Sequence, residues 1–179
     1  MIVKNLQLAT IGGGCFWCTE AVFQDVRGVE KVVSGYSGGN VPGYPTYREI
    51  CSGLTGHAEV IQITFNANVI SYEDILVIFM TTHDPTTLNQ QGADRGTQYR
   101  SVIFYHDDKQ KELAELVIKE LAPYYEKTIV TEISALDTFY EAEQEHQDFY
   151  RNNETMGYCT FVIEPKLAKL RKLHADKLK

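Results

Sequence analysis

Several features that are missing from this 179-residue sequence narrow its function. No apolar run approaches the roughly 18 residues that a membrane-spanning helix needs. Residues 1–4 contain no charged stretch leading into an apolar core, so no secretory signal is indicated. A cationic excess is also missing, and the net charge of −7 argues against nucleic acid as a partner. We therefore expect a cytoplasmic globular protein that binds neither nucleic acid nor membrane.

Cysteine and tryptophan are scarce, with four and one residues respectively. Four cysteines without an export signal are typical of reduced thiols used for catalysis, metal binding or burial, and not of a disulfide scaffold. Cys15 stands between an apolar alternating run at 6–11, typical of a strand, and a segment at 19–23 typical of a helix. Free backbone N–H groups and the dipole at a helix start favour the nucleophilic thiolate. The position predicts a nucleophile at Cys15, although a buried, inert cysteine in a glycine-rich turn is the alternative.

The rest of the chain predicts one α+β domain over residues 1–179, with a basic C-terminal helix at about 165–179. Alternation and turn residues favour strands, and 3.6-residue periodicity favours helices. The polar stretch 81–99 has no periodicity and exceeds the usual length of a connection, so we expect it to serve the function. The predicted strands cover 6–11, 29–36, 57–65, 100–105, 128–133 and 158–163, and the predicted helices begin near 19, 71, 107, 141 and 165.

Glu59 is a second candidate for chemistry. Side chains alternate between the faces of a strand, so Glu59 shares its face with Ile61, Ile63 and Phe65. A carboxyl on an apolar face is expected to have a raised pKa, which suits a proton donor near neutral pH. If the end of the strand frays, Glu59 instead turns to water, and the sequence leaves both possibilities open.

Polar and aromatic side chains elsewhere suggest a binding site. Tyr47 and Tyr99 combine a flat apolar body with an O–H donor, which suits a small polar group, although each could equally be a packing residue. The acidic stretch 141–148 raises the possibility of a metal, but no zinc-ligand spacing is present. We therefore predict no metal there and interpret 141–151 as a solvated acidic helix.

A set of short motifs resembles the type A peptide methionine sulfoxide reductases. The resemblance runs from about Leu8 to Ile163 and implies a ferredoxin-like, two-layer α+β sandwich around a mixed β-sheet. The basic segment after Pro165 lies outside it. The motifs occur in this order: Gly14-Cys15-Phe16-Trp17, Gly35-Tyr36-Ser37-Gly38-Gly39, Pro45-Thr46-Tyr47, Gly56-His57-Ala58-Glu59, His83-Asp84-Pro85, Gly96-Thr97-Gln98-Tyr99-Arg100-Ser101 and Gly157-Tyr158-Cys159.

The resemblance implies a thiol reductase for the S epimer of methionine sulfoxide, free or in proteins. Cys15 matches the nucleophile that attacks the sulfoxide sulfur, and Glu59 matches the donor that protonates the sulfoxide oxygen. The remaining matches are substrate-binding residues: Phe16 and Trp17 for the methyl group, Tyr47 and Tyr99 for the oxygen, and Asp94 in the long loop.

The resemblance also implies recycling without a bound cofactor. Cys15 becomes a sulfenic acid, a second thiol condenses with it to a disulfide, and thioredoxin reduces the disulfide. By position Cys159 matches the resolving cysteine and is the first choice. Cys18 is a rival, because the family usually has glycine there and Cys15-x-x-Cys18 is the spacing of redox dithiols at helix starts.

Two other functions remain possible at this point. One is a thioredoxin-like dithiol–disulfide exchanger that uses Cys15 and Cys18 and does not depend on Glu59. The other is a non-enzymatic module that binds oxidised methionine through Phe16 and Trp17 without converting it. For the reductase we expect a monomer.

Overall fold

The computed structural model describes residues 3–179 and is built on one six-stranded mixed β-sheet. Its strands are β1 (Leu6–Gly12), β2 (Val29–Ser37), β3 (Ala58–Asn66), β6 (Val102–Tyr105), β7 (Glu132–Ala135) and β8 (Tyr140–Glu141). The strand order is β7-β6-β1-β3-β2-β8, with β6 and β7 parallel and the other pairs antiparallel. Two short strands, β4 (Gln90–Gln91) and β5 (Asp94–Arg95), form a separate hairpin.

Six helices accompany these strands in the described part of the chain, together with several single 3₁₀ turns. They are α1 (Phe16–Gln24), α2 (Tyr47–Cys51), α3 (Tyr72–Thr82), α4 (Asp108–Leu121), α5 (Phe149–Asn152) and α6 (Glu164–His174). The order β1-α1-β2-β3-α3-β6, with β6-β1-β3-β2 in space, is the ferredoxin-like βαββαβ arrangement. The α+β sandwich with a mixed sheet is therefore confirmed.

The main core lies between one face of the sheet and the helices. Alternation on β3 places Glu59, Ile61, Ile63 and Phe65 on one face, and the three apolar residues are in this core. The opposite face carries a smaller cluster that includes Val60. Glu59 is thus drawn into the helix-covered layer by the same alternation that buries its neighbours.

The helix ends follow the sequence closely. Ser71 caps α3 by accepting a hydrogen bond from the Asp74 N–H, and Asp107 caps α4 in the same way with the Gln110 N–H. Of the described residues, no helix combines the length and apolar character needed to cross a bilayer.

Four sequence predictions of secondary structure were wrong in place or type. The stretch 81–99 contains the end of α3, the β4–β5 hairpin and a 3₁₀ turn, and the strand predicted at 128–133 forms at Glu132–Ala135. The predicted helix 141–151 is instead β8, a 3₁₀ turn and the four-residue α5. The predicted strand 158–163 is a π-helical turn, Cys159–Ile163, which continues into α6.

Candidate active site

The centre of the candidate site is the turn between β1 and α1. Gly14 has φ of +93°, and a Cβ there would lie 2.7 Å from Cγ of Gln91. The turn therefore requires glycine both for its backbone conformation and for the lack of a side chain. Cys15 follows as the N-cap of α1, in an extended conformation, and is 8% exposed. The sequence thus places the Cys15 thiol at a helix start, just within reach of solvent.

The protonation state of Cys15 differs from the sequence prediction. Burial raises the pKa of the Cys15 thiol well above its usual value, and hydrogen bonding to Cys18 and the nearby Glu59 carboxyl raise it further. The Trp17 N–H lowers this pKa, but by less. The expectation that the helix start makes Cys15 a thiolate was wrong, because it did not include burial.

Cys18 is the more acidic partner of this thiol pair. The hydrogen bond from Cys15 lowers the pKa of Cys18 to about 7 against the effect of burial, and the positive charge of Lys166 and the Tyr158 hydroxyl lower it further. Cys18 Sγ lies 3.6 Å from the Tyr158 hydroxyl oxygen. The geometry therefore favours a neutral Cys15 beside a Cys18 that is partly ionised at neutral pH.

Cys159 is a third buried thiol near the pair. It lies in the π-helical turn, and burial raises its pKa, with the charge of Cys18 as the next cause. All four cysteines, Cys51 included, are free thiols. Cys15 and Cys18 thus influence each other's ionisation, and the charge of Cys18 in turn acts on Cys159.

Glu59 is buried and oriented by the same helix start. The Phe16 N–H donates to Glu59 Oε1 at 3.1 Å, and Glu59 Oε2 has no hydrogen-bond partner in the described structure. Burial raises the pKa of Glu59 to about 8, although the Phe16 N–H lowers it. The carboxyl is therefore mostly protonated at neutral pH, with one oxygen free to donate. The frayed-end alternative for Glu59 was wrong.

Phe16 and Trp17 form an aromatic wall with residues from distant parts of the chain. Phe16 is fully buried against Tyr36, at 5.6 Å between ring centroids. Trp17 is stacked on Phe149, with centroids 3.6 Å apart and an interplanar angle of 5°. The edge of Trp17 is fixed by a hydrogen bond from its Nε1 to His146 Nδ1 at 3.2 Å.

The two predicted tyrosines are also at the site. Tyr47 and Tyr99 are half-buried, and burial and the nearby Glu59 raise the pKa of both. The Cys15 thiol is close enough to each to raise its pKa as well. Both hydroxyls thus remain protonated donors near Glu59 and Cys15.

Asp94 reaches the site from the β4–β5 hairpin. The Tyr158 hydroxyl donates to Asp94 Oδ2 at 2.9 Å, and the same hydroxyl contacts Cys18. The long polar loop is thereby connected to the second thiol. Tyr158 was not singled out for its own side chain in the sequence, although it directly precedes Cys159.

The acidic stretch that raised the metal question serves the aromatic wall. Ligand atoms of Glu143, Glu145 and His146 lie within 4.8 Å of one another. Glu143 accepts from the Tyr36 hydroxyl at 3.0 Å and from the Tyr47 N–H at 2.9 Å, and His146 Nδ1 accepts from Trp17. These contacts fix aromatic residues of the pocket wall. Sequence reasoning missed Glu143 and His146 as part of the site because their partners lie about 100 residues or more away along the chain.

Comparisons with known proteins agree with this geometry. Residues 7–178 match the family described as peptide methionine sulfoxide reductase, so the segment after Pro165 belongs to the match, contrary to the sequence expectation. A relative from Saccharolobus solfataricus, the peptide methionine sulfoxide reductase MsrA, is 54% identical over 97% of this chain and 98% of its own.

Two solved structures of a yeast protein are also similar. Reduced Mxr1 from Saccharomyces cerevisiae has a TM-score of 0.80 at 34% identity, covering 87% of this chain and 90% of that chain. Mxr1 in complex with Trx2 has a TM-score of 0.57 at 24% identity, covering 83% and 90%. At this lower identity, the similarity to the Mxr1–Trx2 structure shows a shared fold and nothing more.

Proposed function

The chain belongs to the peptide methionine sulfoxide reductase family and is an oxidoreductase of methionine sulfoxide, and from this premise we propose that Cys15 and Glu59 carry the reaction. The observation that supports this most directly is the shared helix start. It presents the Cys15 thiol and, through the Phe16 N–H, a protonated Glu59 to the same space. Membership in the family replaces the two other functions considered from the sequence.

The chemistry requires an acid and a nucleophile that act together. Sulfoxide oxygen is a poor leaving group until it is protonated, so a donor must lie where negative charge develops. Glu59 would transfer its proton through Oε2, and the Tyr47 and Tyr99 hydroxyls would donate hydrogen bonds to the same oxygen. The Cys15 thiol would lose its proton to water, and its sulfur would bond to the sulfoxide sulfur. The protonated oxygen would then pass to Cys15 sulfur as the sulfur–sulfur bond breaks, which releases methionine and leaves Cys15 as a sulfenic acid.

The aromatic wall accounts for recognition of the substrate. Phe16 is fully buried, and Trp17 presents an indole held by Phe149 and His146. An apolar surface beside the thiol suits the S-methyl group, which would leave the oxygen on the side of Glu59. A pocket that fixes both the methyl group and the oxygen favours one epimer over the other, and the resemblance to the family implies that it is the S epimer. Asp94, which accepts a hydrogen bond from the Tyr158 hydroxyl next to Cys18, is assigned to the pocket as a substrate-binding residue.

Recycling is best explained by a first disulfide between Cys15 and Cys18. The two thiols lie at the N-cap and in the first turn of α1, where each affects the ionisation of the other, and Cys18 has the lower pKa. A Cys18 thiolate would attack the sulfenic sulfur and release water, after which exchange could pass the disulfide to Cys159. This order puts Cys18 ahead of Cys159, which the sequence resemblance had placed first.

We propose thioredoxin as the reductant of the resulting disulfide. A disulfide at a helix start is suited to exchange with an external dithiol. The yeast neighbour Mxr1 assembles with Trx2, which supports the same class of partner here. A single domain over residues 1–179, a monomeric state and a cytoplasmic location remain proposals. The continuous sheet supports the first, and the free thiols support a reducing compartment.

A single-turnover reaction tests the proposal. Protein reduced and freed of reductant is mixed with a peptide that contains S-methionine sulfoxide, and the product and the disulfide are mapped by mass spectrometry. The proposal expects one methionine per protein and a Cys15–Cys18 bond at the earliest times. Conversion of the R epimer at the same rate would contradict the assigned pocket, and a first bond between Cys15 and Cys159 would contradict the recycling order.

A further inference from the structure

A buried carboxyl outside the reacting atoms anchors one wall of the pocket. Glu20 lies on α1 and is 1% exposed, yet it accepts three hydrogen bonds. Its Oε2 accepts from the Ser34 hydroxyl at 3.3 Å and the Asp148 N–H at 3.1 Å, and its Oε1 accepts from the Phe149 N–H at 3.2 Å. Two of these donors belong to the segment that packs on Trp17.

The backbone at this anchor adopts a conformation that needs support. Asp148 has φ of +51°, a left-handed conformation that costs free energy for a residue other than glycine. This turn points two successive N–H groups at Glu20. The Asp148 side chain is held from the same helix, because Gln24 Nε2 donates to Asp148 Oδ1 at 2.6 Å.

The anchor and the pocket wall share one face of α1. Trp17, Glu20 and Gln24 are spaced by three and four residues, so their side chains project from the same side of the helix. Trp17 stacks on Phe149, whose N–H Glu20 accepts. One helix therefore supplies both the indole and the groups that fix the ring on which the indole is stacked.

Another side chain holds the beginning of this segment independently. Gln147 accepts from the Ser34 N–H and donates to the Ser34 and Ala142 carbonyl oxygens. These bonds fix the neighbourhood of His146. Glu20 is thus the contact that fixes Phe149 in particular.

We propose that Glu20 is a positioning residue for the substrate pocket: its carboxyl fixes Phe149 through the 148–149 backbone, and Phe149 fixes the Trp17 indole against which the substrate methyl group packs. The last clause rests on the proposed function, whereas the first two concern only the protein. Glu20 takes no part in bond making or breaking.

Glu20→Gln is the informative substitution. An amide keeps the size of the carboxyl but has one acceptor oxygen, and its NH₂ group would face a backbone N–H donor. At least one of the two anchored N–H groups would lose its partner in a buried place, which is costly. The matched control is Glu115→Gln, which neutralises an exposed glutamate on α4.

Trp17 reports on its own position, because it is the only tryptophan in the chain. In Glu20→Gln we expect a red-shifted emission and a severalfold increase in acrylamide quenching, with both unchanged in the control. Steady-state kinetics on an S-sulfoxide peptide should show KM raised roughly tenfold, as for loss of one good apolar contact, and kcat within about twofold. Unchanged emission and quenching would overturn the proposal, as would a fall in kcat at constant KM.

Two further variants keep the test decisive. Phe149→Ala should reproduce the emission change, and adding Glu20→Gln to it should change little more, because the two residues act in series. Fully additive effects would overturn the proposed order. If Glu20→Gln does not fold, Gln24→Glu is used instead, because it places a carboxylate against Asp148 Oδ1. It should give a smaller red shift of the Trp17 emission, and an unshifted emission would overturn the proposal. Fluorescence remains a valid readout even if the proposed reaction fails, so the two failures are distinguishable.

Discussion

Replacing Glu59 by glutamine removes one proton and little else. Glutamine keeps an acceptor oxygen for the Phe16 N–H, so the helix start retains the contact that now measures 3.1 Å. What is lost is the transferable proton on the free oxygen Oε2. The substitution therefore separates proton transfer from packing.

The expected loss follows from the role of a general acid. Positioned proton transfer contributes about 10²–10⁴-fold to a rate, which is about 2.7–5.5 kcal/mol of barrier. We therefore expect the single-turnover rate constant for methionine formation in Glu59→Gln to fall by two to four orders of magnitude at pH 7, measured by rapid quench. The control Glu112→Gln, on the surface of α4, should react like the parent protein.

The role of Glu59 also predicts in which direction the effect of Glu59→Gln on the rate changes with pH. With a pKa of about 8, Glu59 is mostly protonated at pH 7 and mostly ionised at pH 9. Because the protonated form is the active one, the advantage of the parent protein over Glu59→Gln should be nearly constant below about pH 7, fall to about half at pH 8 and shrink further above it. The titration of Cys15 is measured in each protein and the two rates are corrected for it before their ratio is taken, because the Glu59 carboxyl itself raises the pKa of Cys15. A ratio below tenfold at pH 7, or one that grows from pH 7 to 9, would refute the role of Glu59.

Three other predictions concern the thiols and the packing of the site. Cys18→Ser should still form one methionine per protein but lose most thioredoxin-dependent turnover, and dimedone should trap a sulfenic acid at Cys15. Undiminished turnover would contradict the recycling order. Tyr158→Phe removes the hydroxyl that lowers the pKa of Cys18, so the pH midpoint for iodoacetamide alkylation of Cys18 should move above about 7, and a lower midpoint would oppose this. Gly12→Ala places a Cβ 2.6 Å from the Glu59 carbonyl oxygen, so the free energy of unfolding measured in urea should fall by about 1–3 kcal/mol, as in overpacked cores. A Cβ at Gly157 meets nothing within 4 Å, so Gly157→Ala should leave the free energy of unfolding unchanged.

The strand-based part of the fold was predictable because alternation encodes the face of a strand. On β3 this rule placed Glu59 beside Ile61 and Ile63, and all three are buried on that face. The raised pKa of Glu59 follows from the same observation. Local patterns were sufficient here because the physical cause, burial on one face, is itself periodic.

The segment 141–151 was not predictable in this way because its polar side chains bind distant partners. Glu143 holds Tyr36 and Tyr47, and Gln147 holds the backbone of Ser34. These tertiary hydrogen bonds outweigh the helical composition of the stretch. A polar run was interpreted as a solvated surface when it is part of the pocket wall.

The turn at 158–163 shows a different limit. Aromatic and β-branched residues favoured a strand, yet Cys159, Ile163, Leu167 and Leu170 are all buried at helical spacing. That spacing extends past Pro165 and was a signal of one continuous helix. The ionisation of Cys15 could not be predicted either, because the depth of a thiol below the surface depends on chain segments far away in sequence.

The role of Cys15 is tested most directly by the yield of methionine from a Cys15→Ser variant in single turnover without reductant. We expect no methionine above background from this protein, and one methionine per protein from Cys18→Ser, Cys159→Ser and the double variant of both. Methionine formed by Cys15→Ser, or none formed by the variants that retain Cys15, would contradict the claim that this thiol attacks the sulfoxide.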